Sequence, residues 1–318
     1  MSARATGPFL APDAMLALLG LTLVLVGLIA ISSASIEYAE FNFSNPWFHT
    51  QRHLMYILLA MVAAAAVYRV PLKFWLDTGW VWLFLALALL ILVLIPGIGK
   101  EVNGSQRWLP LGPFTLQPSE FAKMAMVIYL AGYMVRREHE VRYEWQGFLK
   151  PMAVLFAATL LLMVEPDFGA TVIVVAMTFG MLFLAGVKLG HFLLVLAGAV
   201  AALLVLVVSE PYRVKRLTAY TDPWADPYDT GFQLTQSLIA FGRGEWFGVG
   251  LGNSIQKLFY LPEAHTDFVF SIWSEETGFV GTVLVIALYA ALIGRIFWIG
   301  RRAVLTGAPF GGYLCYGV

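Results

Sequence analysis

Long apolar stretches separated by short polar ones dominate this chain. The apolar runs cover residues 14–33, 54–68, 79–95, 118–135, 151–164, 168–187, 192–208 and 279–300. A hydrocarbon core about 30 Å thick needs roughly 20 mostly apolar residues per helix, so each run reads as a crossing helix. The second and fifth are short and are expected to extend into their flanks. Residues 310–318 read as the first turns of a ninth helix, so the natural chain is expected to be longer. The first run is too long, and lacks a small-residue cleavage site, to be a removable signal peptide; it reads as a signal-anchor. The expected fold is an all-α polytopic membrane protein, with residues 1–318 forming one transmembrane domain.

Lysines and arginines in the short loops orient the bundle. With the N-terminus in the cytoplasm, the inner segments hold Arg4, Arg69, Lys73, Arg136, Arg137, Arg142, Lys150, Lys188, Arg295, Arg301 and Arg302. The short outer loops hold only Arg52, Lys100 and Arg107. That asymmetry puts residues 209–278 outside, as one large extracytoplasmic loop. Loops of such length are usually functional. Within it, residues 232–241 (FQLTQSLIAF) repeat apolar positions at helical spacing. A re-entrant or interfacial helix is expected there, because irregular backbone at membrane depth must be sheltered by protein.

Composition sharpens this picture. Of 318 residues, 60% are hydrophobic and only 13% charged, with a mean hydropathy of +0.77, well below the quarter or so of charged residues in soluble domains. Twenty basic and twenty acidic residues cancel, which removes the electrostatic case for nucleic-acid binding. The single cysteine, Cys315, cannot form an internal disulfide, and no Cys/His spacing suggests structural zinc.

Against this background a few polar residues stand out. Glu120 and Lys123 lie three apart inside the fourth run, just after Pro118, so they share a helix face and can pair. One reading is an interfacial ion pair with a snorkelling lysine; the other is a substrate pathway, since an intramembrane cation is costly. Arg107, in NGSQRWLPLG (residues 103–112), is either a snorkelling residue of a capped loop or, beside Lys123, half of a two-cation clamp for phosphate. Glu165 and Asp167 flank Pro166; Asp167 reads best as an N-cap, although the pair could also bind a divalent cation. YRVKR at residues 212–216 is either a lipid-headgroup contact or a solvated basic patch.

The densest constellation is GVGLGNSIQKLFYLPEAHTDFVFS, residues 248–271. Its GxGxG pattern is a poor nucleotide signal without a βαβ unit. Glu263, His265 and Asp267 fall within five residues, just before the eighth helix. Asp267 is either a helix-capping acid or a sheltered carboxylate whose raised pKa suits it to take a proton from a sugar hydroxyl. Glu275 and Glu276, at the head of the following helix, read as structural, their charge favouring the helix dipole.

These strings, together with DPWADPYDTGFQLTQSLIAFGRGEWFG, SSAS at residues 32–35, NGSQRWLPLGPFTLQPSEFAKM, EPDFGAT and RRA…FGGYL, resemble the SEDS (shape, elongation, division and sporulation) family along nearly the whole chain. The EAHTDF wording, with Ala264 where elongation members tend to carry a basic residue, is closer to the division branch. The resemblance implies ten transmembrane helices, of which this chain shows about eight and the start of a ninth, and a peptidoglycan glycosyltransferase of the bacterial inner membrane acting at the septum. It further implies an extracytoplasmic active site that polymerises lipid II, with Asp267 as essential acid and general base. Glu120 and Lys123 match the family's membrane-embedded acid and lysine, and Arg107 and Gln236 fall in its NGSQRW-type and GxQLxQS-type motifs. With Glu263 and His265 they are the expected substrate-binding residues. Implied partners are nascent glycan-lipid, a class B penicillin-binding protein acting as transpeptidase, and septal regulatory proteins. A divalent cation, magnesium or manganese, would suit the pyrophosphate leaving group, and no organic cofactor is expected. A lipid II flippase and a non-catalytic division scaffold are the rival functions; isolated ion pairs, no visible inverted repeat and the acid-bearing outer loop argue against transport.

Overall fold

A computed structural model describes residues 13–102, 105–112, 114–209 and 211–318. It is mostly helical, with one small sheet. In chain order the elements are α1 (Ala14–Phe43), α2 (Phe48–Tyr68), α3 (Leu72–Val93), β1 (Lys100–Val102), β2 (Ser105–Leu111), β3 (Phe114–Leu116), α4 (Pro118–Arg136), α5 (Glu138–Tyr143), α6 (Trp145–Val164), α7 (Phe168–Leu184) and α8 (Leu189–Val208). There follow α9 (Pro211–Thr221), a 3-10 turn (Pro223–Ala225), α10 (Phe232–Gly244), a π turn (Gln256–Tyr260), α11 (Val269–Leu305) and α12 (Pro309–Gly317). Among the described residues six helices are long and apolar enough to cross a membrane: α1, α2, α3, α6, α8 and α11; α7 is apolar but shorter.

Each apolar run falls on a helix, yet several helices outrun their apolar stretch. α1 continues ten residues past Ser33, through Glu37 and Glu40, and stops where Ser44 turns left-handed ahead of Pro46. α2 and α6 begin six residues ahead of the expected starts, taking in HTQRH and WQGFLK. Hydropathy marks where lipid solvates a helix, whereas its ends are set by caps and breakers. The described part of residues 103–112, expected to lie in an outer loop, carries β2 of an antiparallel meander in the order β1-β2-β3, with Leu109 opposite Leu116 and Leu111 opposite Phe114. Arg4 and Asn103–Gly104 lie outside the described residues. YRVKR falls within α9, where Val214 and Lys215 are exposed.

The chain divides into two compact units, one containing residues 70–200 and 296–318, the other residues 13–69 and 201–295 of the described chain. The first is organised around α4, whose Ala122, Ala125, Leu130, Ala131 and Met134 are buried against residues of α3, α6, α7 and α12. Small side chains let backbones approach closely, the usual basis of helix packing in lipid. The second unit has a much smaller apolar nucleus of Ala34, Leu261, Ala264 and Ile272. Ring contacts such as Tyr38 on His265 and polar contacts at the head of α11 add to it.

Candidate functional site

In the first unit, Pro118 opens α4 at a position where a missing amide costs nothing. One turn later Lys123 Nζ meets Glu120 Oε1 at 2.8 Å, with Glu120 61% exposed and Lys123 22%. The pairing expected from their spacing is present. Arg107, on β2, is held differently from the expected clamp: its Nε donates to the Glu165 carbonyl at 3.3 Å and its Nη2 to the Pro166 carbonyl. The guanidinium therefore fastens the meander to the α6–α7 turn.

Asp167 caps α7, its Oδ1 accepting from the Ala170 amide at 3.1 Å, as expected. Glu165 differs from its capping neighbour. Its side chain is fully buried, and neither carboxylate oxygen has a hydrogen-bond partner among the described residues. Burial, reinforced by the Asp167 charge and opposed by Arg107, pushes its pKa up to about 8. Glu165 is thus protonated at neutral pH, so the turn does not hold two carboxylates. Among the described residues no three His, Cys, Asp or Glu side chains converge as a metal ion requires.

In the second unit, α10 forms over the sequence expected to be helical and carries Gln236, half-buried. It is tied to α11 by a 2.7 Å hydrogen bond between the Ser237 and Ser271 hydroxyls. The acid-bearing loop then runs from the π turn to α11. Glu263 takes a left-handed backbone conformation; its carbonyl accepts the amides of Thr266 and Phe268, both at 3.1 Å. Its carboxylate accepts the Thr266 hydroxyl at 2.6 Å, so it serves the turn. His265 stacks on Tyr38 of α1 with centroids 4.5 Å apart, and burial lowers its pKa against the opposing pull of Glu263, favouring neutral imidazole. Asp267 lies two residues ahead of α11 and is exposed, with no hydrogen bond to a described residue. The expected sheltered carboxylate is therefore corrected: its backbone is constrained while its side chain stands open.

Sequence reasoning undervalued the head of α11. Glu275, fully buried, accepts hydrogen bonds from Arg243 Nη1 and the Ile255 amide, both at 3.1 Å, from the Gln256 amide at 3.3 Å, and from the Ser254 hydroxyl. Glu276, also buried, accepts Lys257 Nζ at 3.1 Å and the Ser33 hydroxyl at 2.7 Å. These acids are structural, as read from the sequence, but through direct partners instead of the helix dipole.

The helix itself is interrupted at Gly278 (φ 70°). The carbonyls of Glu275 and Glu276 accept the amides of Val249 at 3.0 Å and Gly250 at 3.1 Å, while the amides of Phe279 and Val280 donate to Glu245 and Trp246 at 2.8 and 3.1 Å. The break thus trades helical hydrogen bonds for bonds to the 245–250 loop, leaving none of these groups unpaired in an apolar setting.

Comparison with known proteins places the chain. The sequence profile of the FtsW/RodA/SpoVE cell cycle proteins matches residues 13–318. A Nitrosococcus halophilus protein named probable peptidoglycan glycosyltransferase FtsW is 54% identical, over 96% of this chain and 80% of that one. A Hahella chejuensis protein of the same name is 52% identical, over 94% and 75%. Among solved structures, a chain from work on how a peptidoglycan synthase complex coordinates polymerization and crosslinking superposes with a TM-score of 0.74 at 27% identity, covering 97% and 84% of the two chains. The rod shape determining protein RodA of Thermus thermophilus shares the fold, with a TM-score of 0.67 at 24% identity over 97% and 81%. With a profile that matches from Asp13 to the last residue, this chain belongs to the FtsW/RodA/SpoVE family of cell cycle proteins.

Proposed function

We propose that this protein is a peptidoglycan glycosyltransferase of the bacterial inner membrane that polymerises lipid II at the division septum. The observation that carries the reading is the match, along nearly the entire chain, to relatives named for that activity. The open carboxylate of Asp267 on a backbone fixed by neighbouring turns supports the choice of acid.

In this mechanism the growing glycan-lipid is the donor and lipid II the acceptor. Asp267 takes the proton of the acceptor GlcNAc 4-hydroxyl as its oxygen attacks the donor anomeric carbon. The new C–O bond forms as the bond to pyrophosphate breaks, inverting the anomeric centre and releasing undecaprenyl pyrophosphate. Negative charge growing on that leaving group calls for fixed cations. Lys123 is assigned this role, with Glu120 holding its ammonium in place until the phosphates arrive. Gln236 and His265 shape the sugar subsites, while Arg107 and Glu263 serve the turns they brace. By basic-residue asymmetry the N-terminus is cytoplasmic and residues 209–278 face outward, with α10 as the re-entrant or interfacial element. The partner is a class B penicillin-binding protein, with septal regulators completing the assembly.

Asp267→Asn tests the proposal. The variant is expected to insert and accumulate normally yet form no glycan chains from lipid II in vesicles containing the partner transpeptidase. Polymerisation at the unsubstituted rate would end the general-base assignment; lipid II exchange between leaflets without chain growth would favour a flippase.

A further inference from the structure

The second unit buries a lysine where the polymerase mechanism needs none. Lys257 and Glu276 are both almost wholly enclosed, and Lys257 Nζ lies 3.1 Å from Glu276 Oε1 and 3.3 Å from Ser33 Oγ, which itself donates to Glu276. Three segments distant in sequence thus meet at one charge cluster: α1 through Ser33, the π turn through Lys257 and α11 through Glu276. An enclosed ion pair adds little net stability compared with apolar side chains of similar volume, because desolvation offsets the attraction. It does penalise every arrangement that separates the charges, so it selects one register.

That register bears on Asp267. The π turn held by Lys257 leads through the Leu261 amide, bonded to the Gln256 carbonyl at 2.9 Å, into Leu261 and Ala264, which pack with Ala34 and Ile272. The Glu263 turn then delivers Asp267 to the start of α11. Glu275 fixes the other end of the turn by accepting from Ser254, Ile255 and Gln256. The chain around Asp267 is therefore set by contacts that leave its carboxylate open.

We infer that Lys257, Glu276 and Ser33 form a positioning triad that holds the Asp267 loop in its working register. This deepens the glycosyltransferase reading and rests on it.

The test compares Lys257→Met, Glu276→Gln and the conservative Lys257→Arg in the full chain with its transpeptidase partner. Lipid II polymerisation and hydrogen exchange over residues 254–268 and over α4 are both measured. Lys257→Met is expected to lower kcat about tenfold or more while KM moves less than about threefold, the pattern of a lost alignment. Exchange should rise over residues 254–268 and stay unchanged in α4, and Lys257→Arg should recover most of the activity. Should Lys257→Met fail to accumulate, Glu276→Gln, which keeps a polar group in place, is held to the same criteria. Unsubstituted kcat, or lost activity with unchanged exchange over 254–268, would overturn the triad. If the unsubstituted protein forms no glycan while exchange responds as stated, the polymerase reading fails and the positioning role stands.

Discussion

The two units solve the same packing problem by opposite means. Around α4, order comes from apolar surfaces: Ala122, Ala125 and Ala131 bring helices close, and Leu130, Met134, Leu162 and Leu182 fill the space between them. Around the head of α11, the apolar nucleus is four residues, and backbone exchange across Gly278 and two buried glutamates do the organising. Lipid gives helices no hydrophobic reason to associate, so close packing and hydrogen bonding are the available forces. The first allows some slack in which residue fills a space. The second does not, because a displaced polar group in an enclosed setting is left unpaired. The region bearing the proposed general base is built in the less tolerant way.

The largest expected effect follows from that intolerance. A Cβ at Gly278 would overlap the backbone nitrogens of Phe247 and Gly248, at a positive φ that L side chains rarely adopt. Gly278→Ala is expected to cost more than about 3 kcal/mol and to abolish accumulation of folded protein in the membrane. Normal levels by immunoblot, with unchanged melting in detergent, would show that the break tolerates a methyl group and that the contrast between units is overstated.

The apolar unit should yield more gradually. Leu130→Ala at the centre of α4 leaves a cavity, with an expected loss of about 2–4 kcal/mol seen as a lower Tm in detergent. Polymerisation per folded molecule should be retained, since Leu130 belongs to the apolar cluster of the first unit and takes no part in the polar network around Glu275 and Glu276. A loss of rate larger than the loss of folded protein would break this separation.

The smallest effect is conditional on pH. Glu165 has its pKa raised to about 8 in the folded protein against an ordinary value near 4.5. Between those values the native state keeps a proton that the unfolded state has released, so stability falls as pH rises through the window and levels off above it. Glu165→Gln removes that dependence. The two proteins should melt nearly alike at pH 5, with the Gln variant clearly the more stable at pH 8.5. Parallel melting profiles across pH 5–8.5 would mean that Glu165 is not held neutral.

Much of the bundle was legible from the chain. The apolar runs located the helices from Ala14 to Val208 because burial in lipid requires long apolar stretches, and Asp167 and Pro118 marked helix starts by their local chemistry. Two features escaped. The meander of residues 100–116 lacks the clear alternation of a half-buried strand, its pattern interrupted by Pro110 and Pro113. The Glu276 environment needed Ser33, 243 residues away along the chain, which no local pattern can announce.

The helical membrane character of the protein, the positions of its apolar segments and, through long matching strings, its family can all be read along the chain. Composition and spacing suffice for those because they depend on solvation and on neighbours along the chain. Folding in three dimensions is what buries Glu165 without a partner among the described residues, commits Arg107 to a turn, breaks α11 against the 245–250 loop, and encloses Lys257 with Glu276. Each depends on which distant groups arrive at the same place, and the protonation and pairing of a charge follow from that local company.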